Sequence, residues 1–172
     1  MGRGATLTIR GAREQDAAAL GSLLMAATER APSSLYDADE LGDDPRGLGE
    51  DVLDAARRDG SLVLVGEVGG ELVGMVRAMP REFVRCAHVA TVGVLVAPGW
   101  RRRGVGGAML EEVAQRAFDR GGIERLEVHV AEDDGGLAAL VGRHGFRAAR
   151  VERGALVRDG ARKDLSLFVR DR

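Results

Sequence analysis

The alternation of apolar and polar positions divides the chain into short strands and a few helices. "TLTIR" (6–10) alternates and predicts a first strand. Across 13–31, Leu20, Leu23, Leu24 and Ala27 fall on one helical face, with Asp16 near the start and Pro32 just past the end. The segment from Tyr36 to Asp51 is acidic and broken by Gly and Pro, so it predicts a loop, with a short helix around 48–60. Two β-rich runs then flank Gly69-Gly70, a hairpin signal because both turn residues can take positive φ. "AHVATVGVLVAP" (87–98) predicts a strand ending at proline. Met109, Leu110, Val113, Ala114 and Ala117 form the apolar stripe of a helix that stops near Gly121-Gly122. "IERLEVHVA" (123–131) is a strand, "DDGGLAALVGRHGF" (133–146) a short helix, and two strands around 146–151 and 164–169 finish the chain. The order is β-α-α-β-β-β-α-β-α-β-β, an α/β (α+β) arrangement, and no repeat or linker divides residues 1–172 into more than one domain.

Composition narrows the class. The chain has 172 residues, 45% apolar and 30% charged, with a net charge of −2. That balance suits an ordinary globular protein and argues against a broad nucleic-acid binder, whose affinity rests on neutralising phosphates. Cys86 is the only cysteine, which excludes an internal disulfide and a cysteine metal cluster, and no metal site is expected. The N-terminal residues lack the apolar core of a secretory leader, and no run is long enough to span a membrane, so a cytoplasmic location is the expectation.

The densest chemistry lies in "RRRGVGGAML", where Arg101, Arg102 and Arg103 run into Gly104, Val105, Gly106 and Gly107 at a helix start. A strand, a tight glycine turn and a helix present unpaired backbone N–H groups to an anion. Arginines add bidentate donors. A solvated basic turn has the same composition, so the short motif alone does not decide. A Rossmann fingerprint belongs after the first strand of a βαβ unit, and here the turn follows about the fourth strand. No phosphate-binding G-x-x-x-x-G-K-[ST] segment occurs.

"VLVAPGWRRRGVGGAMLEEVAQRA" (94–117) resembles the acyl-coenzyme A binding motif of the GNAT superfamily of N-acetyltransferases: a strand, a proline, then [RQ]-x-x-G-x-[GA], met by Arg101, Gly104 and Gly106. "LEVHVAEDDGGLAALVGRHGF" (126–146) resembles the second block of that family. The resemblance covers about residues 6–170. It implies a mixed central sheet of six or seven strands flanked by about four helices, and acetyl-CoA as cosubstrate, leaving as coenzyme A. The amides of 102–107 would take the pyrophosphate, and Val94, Leu95 and Val96 would pair with the pantetheine arm. The strand is expected to splay from "LEVHV" to admit the thioester. Asp134 stands where the family has an asparagine at the last helix start, and Val141 where many members have a tyrosine acid. Family members often dimerise, so a homodimer is within expectation.

Acetyl transfer needs a neutral amine, and alkyl amines have pKa values of about 8 to 10, so a base must remove a proton. On "LEVHV", Glu127 and His129 share one face and Leu126, Val128 and Val130 the other. Glu127 is the first candidate, by resemblance to the ribosomal-protein alanine branch; an ion pair with Arg125 or Arg147 is the competing role. His129 is the second candidate and a solvated histidine the alternative. His88 precedes the motif strand, as in a branch that acetylates free amino acids, and could instead face water. Thr91 could donate to the acceptor. Cys86 lacks an evident histidine–acid partnership, so direct attack in a ternary complex is expected. Tyr36, the only tyrosine, could substitute for the missing acid only by folding over the site. The acidic loop, 37–51, reads first as a solvated loop, and it could alternatively favour a cationic amine. Trp100 is expected to pack on the turn. Three functions follow: an N-acetyltransferase of a small amine such as an amino acid, a protein N-terminal acetyltransferase, and an acyl-CoA-binding module without turnover.

Overall fold

A computed structural model describes residues 6–28, 31–36 and 38–172. The strands are β1 (Leu7–Gly11), β2 (Leu62–Val68), β3 (Glu71–Pro80), β4 (Val89–Val96), β5 (Arg125–Ala131), β6 (Arg147–Arg158) and β7 (Ala161–Asp171). The helices are α1 (Ala17–Thr28), α2 (Pro45–Ala56), α3 (Val105–Asp119) and α4 (Gly135–Arg143). Chain order agrees with the pattern read from the sequence. The strands form one mixed sheet in the order β1-β2-β3-β4-β5-β7-β6. Every adjacent pair is antiparallel except β4 and β5.

Two segments depart from expectation. The acidic stretch is not mainly loop: α2 begins at Pro45, with the Asp44 carboxylate accepting from the Arg46 amide. Proline at the first helical position costs no hydrogen bond, so a residue that reads as a breaker starts the helix. The last two strands are much longer than their apolar runs, 12 and 11 residues, because they pair with each other about the Asp159-Gly160 turn. Asp37 lies outside the described residues.

Period-2 alternation supplies two cores. Val76, Ala78, Ala90, Val92, Leu126, Val128 and Val130 face α3 and α4, where Met109, Leu110, Val113 and Val141 complete the packing. Val63, Val65 and Met75 face α1 and α2. Those two helices cross where neither has a side chain. A Cβ on Gly21 would lie 1.7 Å from the Pro45 carbonyl oxygen, and one on Gly49 would lie 1.8 Å from that of Ala17. Each glycine sits under the first residue of the other helix.

β1 is tied to α1 by a mostly buried ion cluster. Arg10 Nη1 is 2.7 Å from the Asp16 carboxylate and Nη2 is 2.9 Å from Glu67. The Asp16 carboxylate also accepts from the Arg13 amide at 2.8 Å, capping the entry to α1. The Arg10 hydrogen bond, opposed by burial and aided by the Arg13 amide, holds the Asp16 carboxyl below its usual range. A depressed folded pKa means the stabilisation is present above the unfolded value, about 3.9, and lost as pH falls below it. Asp16→Asn is therefore expected to lower the melting temperature at pH 7 and to shrink that difference below about pH 4. Thermal melts of both proteins across pH check this.

Candidate functional site

β4 and β5 pair over only three residues: Val89 with Arg125, Ala90 with Leu126 and Thr91 with Glu127. Beyond them the strands separate, while β4 stays paired with β3 as far as Val96. Arg81 N donates to Val89 O at 2.9 Å and Ala97 N to Val73 O at 2.9 Å. With the register between them unbroken, odd residues from 89 to 97 bond to β3. The even residues therefore turn their amides and carbonyls towards β5; the Thr91–Glu127 pair engages the Val92 amide, and past it the Val92 carbonyl and the backbone of Val94 and Val96 turn into the gap. Leu95, grouped with Val94 and Val96 in the sequence, commits its backbone to β3, and its side chain packs towards α1 and α2.

The glycine-arginine turn closes one end of this gap. Gly104 caps α3 in the left-handed region, φ 84°, and Arg102 also has positive φ, 62°. The amides of Arg102, Arg103, Gly104, Val105, Gly106 and Gly107 have no backbone acceptor among the described residues. That is a run of donors at a helix N-terminus, which fits a diphosphate. The three arginines differ. Arg101 Nε donates to Val96 O at 3.2 Å, fastening the turn to the strand. Arg103 lies 5.2 Å over the Trp100 ring, and Arg102 is exposed. Gly107 serves packing: a Cβ there would meet His144 Nε2 at 2.6 Å.

Glu127 is buried, 7% exposed at the side chain, and accepts from Arg81 Nη2 at 2.7 Å through Oε2. Its partner is thus Arg81, not Arg125 or Arg147, both of which pair with Asp171. The same hydrogen bond raises the Arg81 guanidinium above its ordinary range. Oε1 has no partner among the described residues. His129 lies on the Glu127 face, and its buried Nδ1 has no hydrogen-bond partner among the described residues. Glu127, His129 and Thr91 are therefore brought together on the α1/α2 side, where β4 and β5 part.

Other candidates lie elsewhere. His88 is exposed at the closed end of the β4/β5 pair, in a hollow with Glu124, Arg125, Asp171 and Arg172. Cys86 is half-buried in the turn before β4, beside Arg81. The Asp134 carboxylate is already engaged: Oδ1 caps α4 through the Leu137 amide at 2.9 Å, and Oδ2 accepts from Ser33 at 2.8 Å. Ser33 in turn accepts from the Ala131 amide, so the segment after α1 is stitched to the end of β5. Val141, at the position of the absent tyrosine, has no exposed surface and lies in the α3 core. Tyr36 lies on the α1/α2 side, its ring 5.9 Å from the Arg77 guanidinium.

The model of the acetyltransferase (GNAT) family matches residues 20–146. The chain belongs to the GNAT acetyltransferase family. As a GNAT enzyme it transfers an acetyl group from acetyl-CoA to an amine. It is 26% identical over 115 residues to the L-amino acid N-acetyltransferase AaaT of Escherichia coli K12, covering 67% of this chain and 71% of that one. Its fold superposes on a ribosomal-protein-alanine N-acetyltransferase from Brucella melitensis with a TM-score of 0.82, 26% identity, and coverage of 96% and 99%. It also superposes on yncA from Salmonella typhimurium, solved with its cofactor acetyl-CoA, with a TM-score of 0.82, 22% identity, and coverage of 96% and 93%. In this GNAT chain the opening between β4 and β5 begins at Glu127, and the turn with its free amides follows the end of β4.

Two residues of the site escaped the sequence reading. Arg77 carried a usable signal, an arginine between Met75 and Met79 on one strand face. Arg81 carried none, because its contact spans 46 residues and depends on strand register.

Proposed function

We propose that this GNAT enzyme acetylates the α-amine of a free amino acid by direct attack in a ternary complex, with Glu127 as the general base. One observation carries the reading: a buried carboxylate with one uncommitted oxygen stands where β4 leaves β5, on the face opposite α3. The relationship to an L-amino acid N-acetyltransferase supports the acceptor class.

Each group then has a task. The free amides of residues 102–107 would bind the diphosphate, and the backbone of Val94 and Val96 would take the pantetheine arm. Acetyl-CoA supplies an activated acyl group. Glu127 Oε1 accepts the proton that the incoming ammonium must lose, directly or through a water molecule. An amide of β4 facing the gap donates to the carbonyl oxygen as negative charge develops there. With Val141 sealed in the core, the chain offers no side chain from α4 to protonate the thiolate. A thiol of pKa about 8.5 leaves readily enough to take its proton from water. His129 Nδ1 would gain its missing partner from the acceptor or from water in the same space.

The resemblance to a ribosomal-protein-alanine acetyltransferase supports a second reading, a peptide α-amine as acceptor. Coenzyme release followed with a thiol reagent separates the two. Amino acids are expected to give turnover, and peptides with free N-termini little. Turnover confined to peptides would reverse the assignment, and none with any amine would favour an acyl-CoA-binding module.

A further inference from the structure

We infer that Arg77 is the receptor for the acceptor's carboxylate, and that Tyr36 holds it in place; the inference rests on the amino-acid reading above. It begins with two rows of residues across the sheet. The first row is Met79, Thr91 and Glu127 on β3, β4 and β5, the last row in which all three strands are joined. The next row along β4 is Arg77 and Gly93, and across the opening, two residues on from Glu127, stands His129. All of these lie on the α1/α2 face. Arg77 and His129 are thus opposite banks of the mouth, with Glu127 at its closed end.

Arg77 is half-buried and has no carboxylate partner among the described residues. That sets it apart from its neighbours. Arg81, two turns of the pleat along the same face, is paired with Glu127, and Arg10 is paired with Asp16 and Glu67. A half-buried arginine with no carboxylate beside it among the described residues keeps its planar fork of donors available to an anion. The structure also holds it in one place. A Cβ on Gly93 would come within 3.4 Å of Arg77 Nε and 3.7 Å of its Cγ, so the side chain lies flat along β4 where that strand is bare. The Tyr36 ring faces the guanidinium at 5.9 Å. Ser33, three residues earlier, bonds to Asp134 and to the Ala131 amide, which anchors the segment carrying Tyr36 above the mouth.

A planar guanidinium pre-oriented beside an amine-activating carboxylate recognises a molecule with a carboxylate close to its amine. An α-amino acid meets that description: the amine turns to Glu127 and the carboxylate to Arg77. A peptide N-terminus offers a neutral carbonyl at the same position and leaves the guanidinium unpaired. Arg77 would therefore set specificity as well as affinity.

The test compares each L-amino acid that is turned over with its own carboxamide, in the wild-type enzyme and in Arg77→Gln. The wild type is expected to favour the acid by about 100-fold in kcat/KM, because the amide leaves a charged group unsatisfied. Arg77→Gln is expected to bring the acid down to the level of the amide while the KM for acetyl-CoA stays unchanged. Arg77→Lys, which keeps the charge and loses the fork, is expected to fall between them and covers the case in which the glutamine variant does not fold. Equal use of acid and amide by the wild type overturns the inference, and so does a preference that survives Arg77→Gln. In both cases amino acids are still acetylated and the proposed function stands. Turnover of amines but of no amino acid overturns both.

Discussion

Glu127→Gln is expected to lower kcat/KM for the acceptor by about 10²- to 10⁴-fold while leaving the KM for acetyl-CoA and the melting temperature nearly unchanged. Glutamine keeps the shape of the buried side chain and can still accept the hydrogen bond from Arg81. What it removes is the site that takes the proton. Arg81 provides the control. It is 44% exposed, so water can replace its lost partner. If Glu127 only anchored Arg81, then Arg81→Met would cost as much activity as Glu127→Gln. If Glu127 takes the proton, the glutamine variant is far the worse of the two. Steady-state kinetics on both variants decide, and a loss under tenfold for Glu127→Gln would remove the base assignment.

The second large effect is on stability. Gly49→Val is expected to cost about 3 kcal/mol or more, which lowers the melting temperature of a protein of this size by about 6–12 °C. The obstacle is backbone: a Cβ at position 49 would lie 1.8 Å from the Ala17 carbonyl oxygen, which no rotamer change relieves. α1 and α2 would have to move apart, and the segment between them carries Ser33 and Tyr36. The same variant should therefore impair the acceptor side more than acetyl-CoA binding. Gly21→Val meets the Pro45 carbonyl and should behave alike. Gly11→Val serves as the contrast, since nothing lies within 4 Å of its Cβ position. Circular-dichroism melts of the three variants check this; a stable Gly49→Val would mean the helices are not locked at their crossing.

What the chain showed in advance follows the range of the forces involved. Element order was legible because period-2 and period-3.6 patterns are local. The face shared by Glu127 and His129 was legible for the same reason. The glycine turn was legible as a helix start because it lies between a proline-ended strand and the apolar stripe of a helix. The start of α2 was hidden by Pro45, and the length of β6 by an exposed sequence, "RAARVERGALVR", with little alternation to mark it. Arg81 became visible only once register placed it across from β4 and beside Glu127 of β5. No local pattern can reveal a side chain whose meaning depends on a strand some 15 to 50 residues away.

The parted strands also affect how long the protein lasts. From the Val92 carbonyl to the Val96 amide, β4 forms an edge in the interior of the sheet, open on one side among the described residues. On the proposed reading, a pantetheine arm lying there would act as a missing segment of backbone. Ligand at 100 times its dissociation constant adds about 2.7 kcal/mol to the folded state. Free and acylated coenzyme share that arm, so both would lend this support. The cellular coenzyme pool would then govern the enzyme's abundance as well as its rate, and starvation for the donor would thin out the population of its consumer.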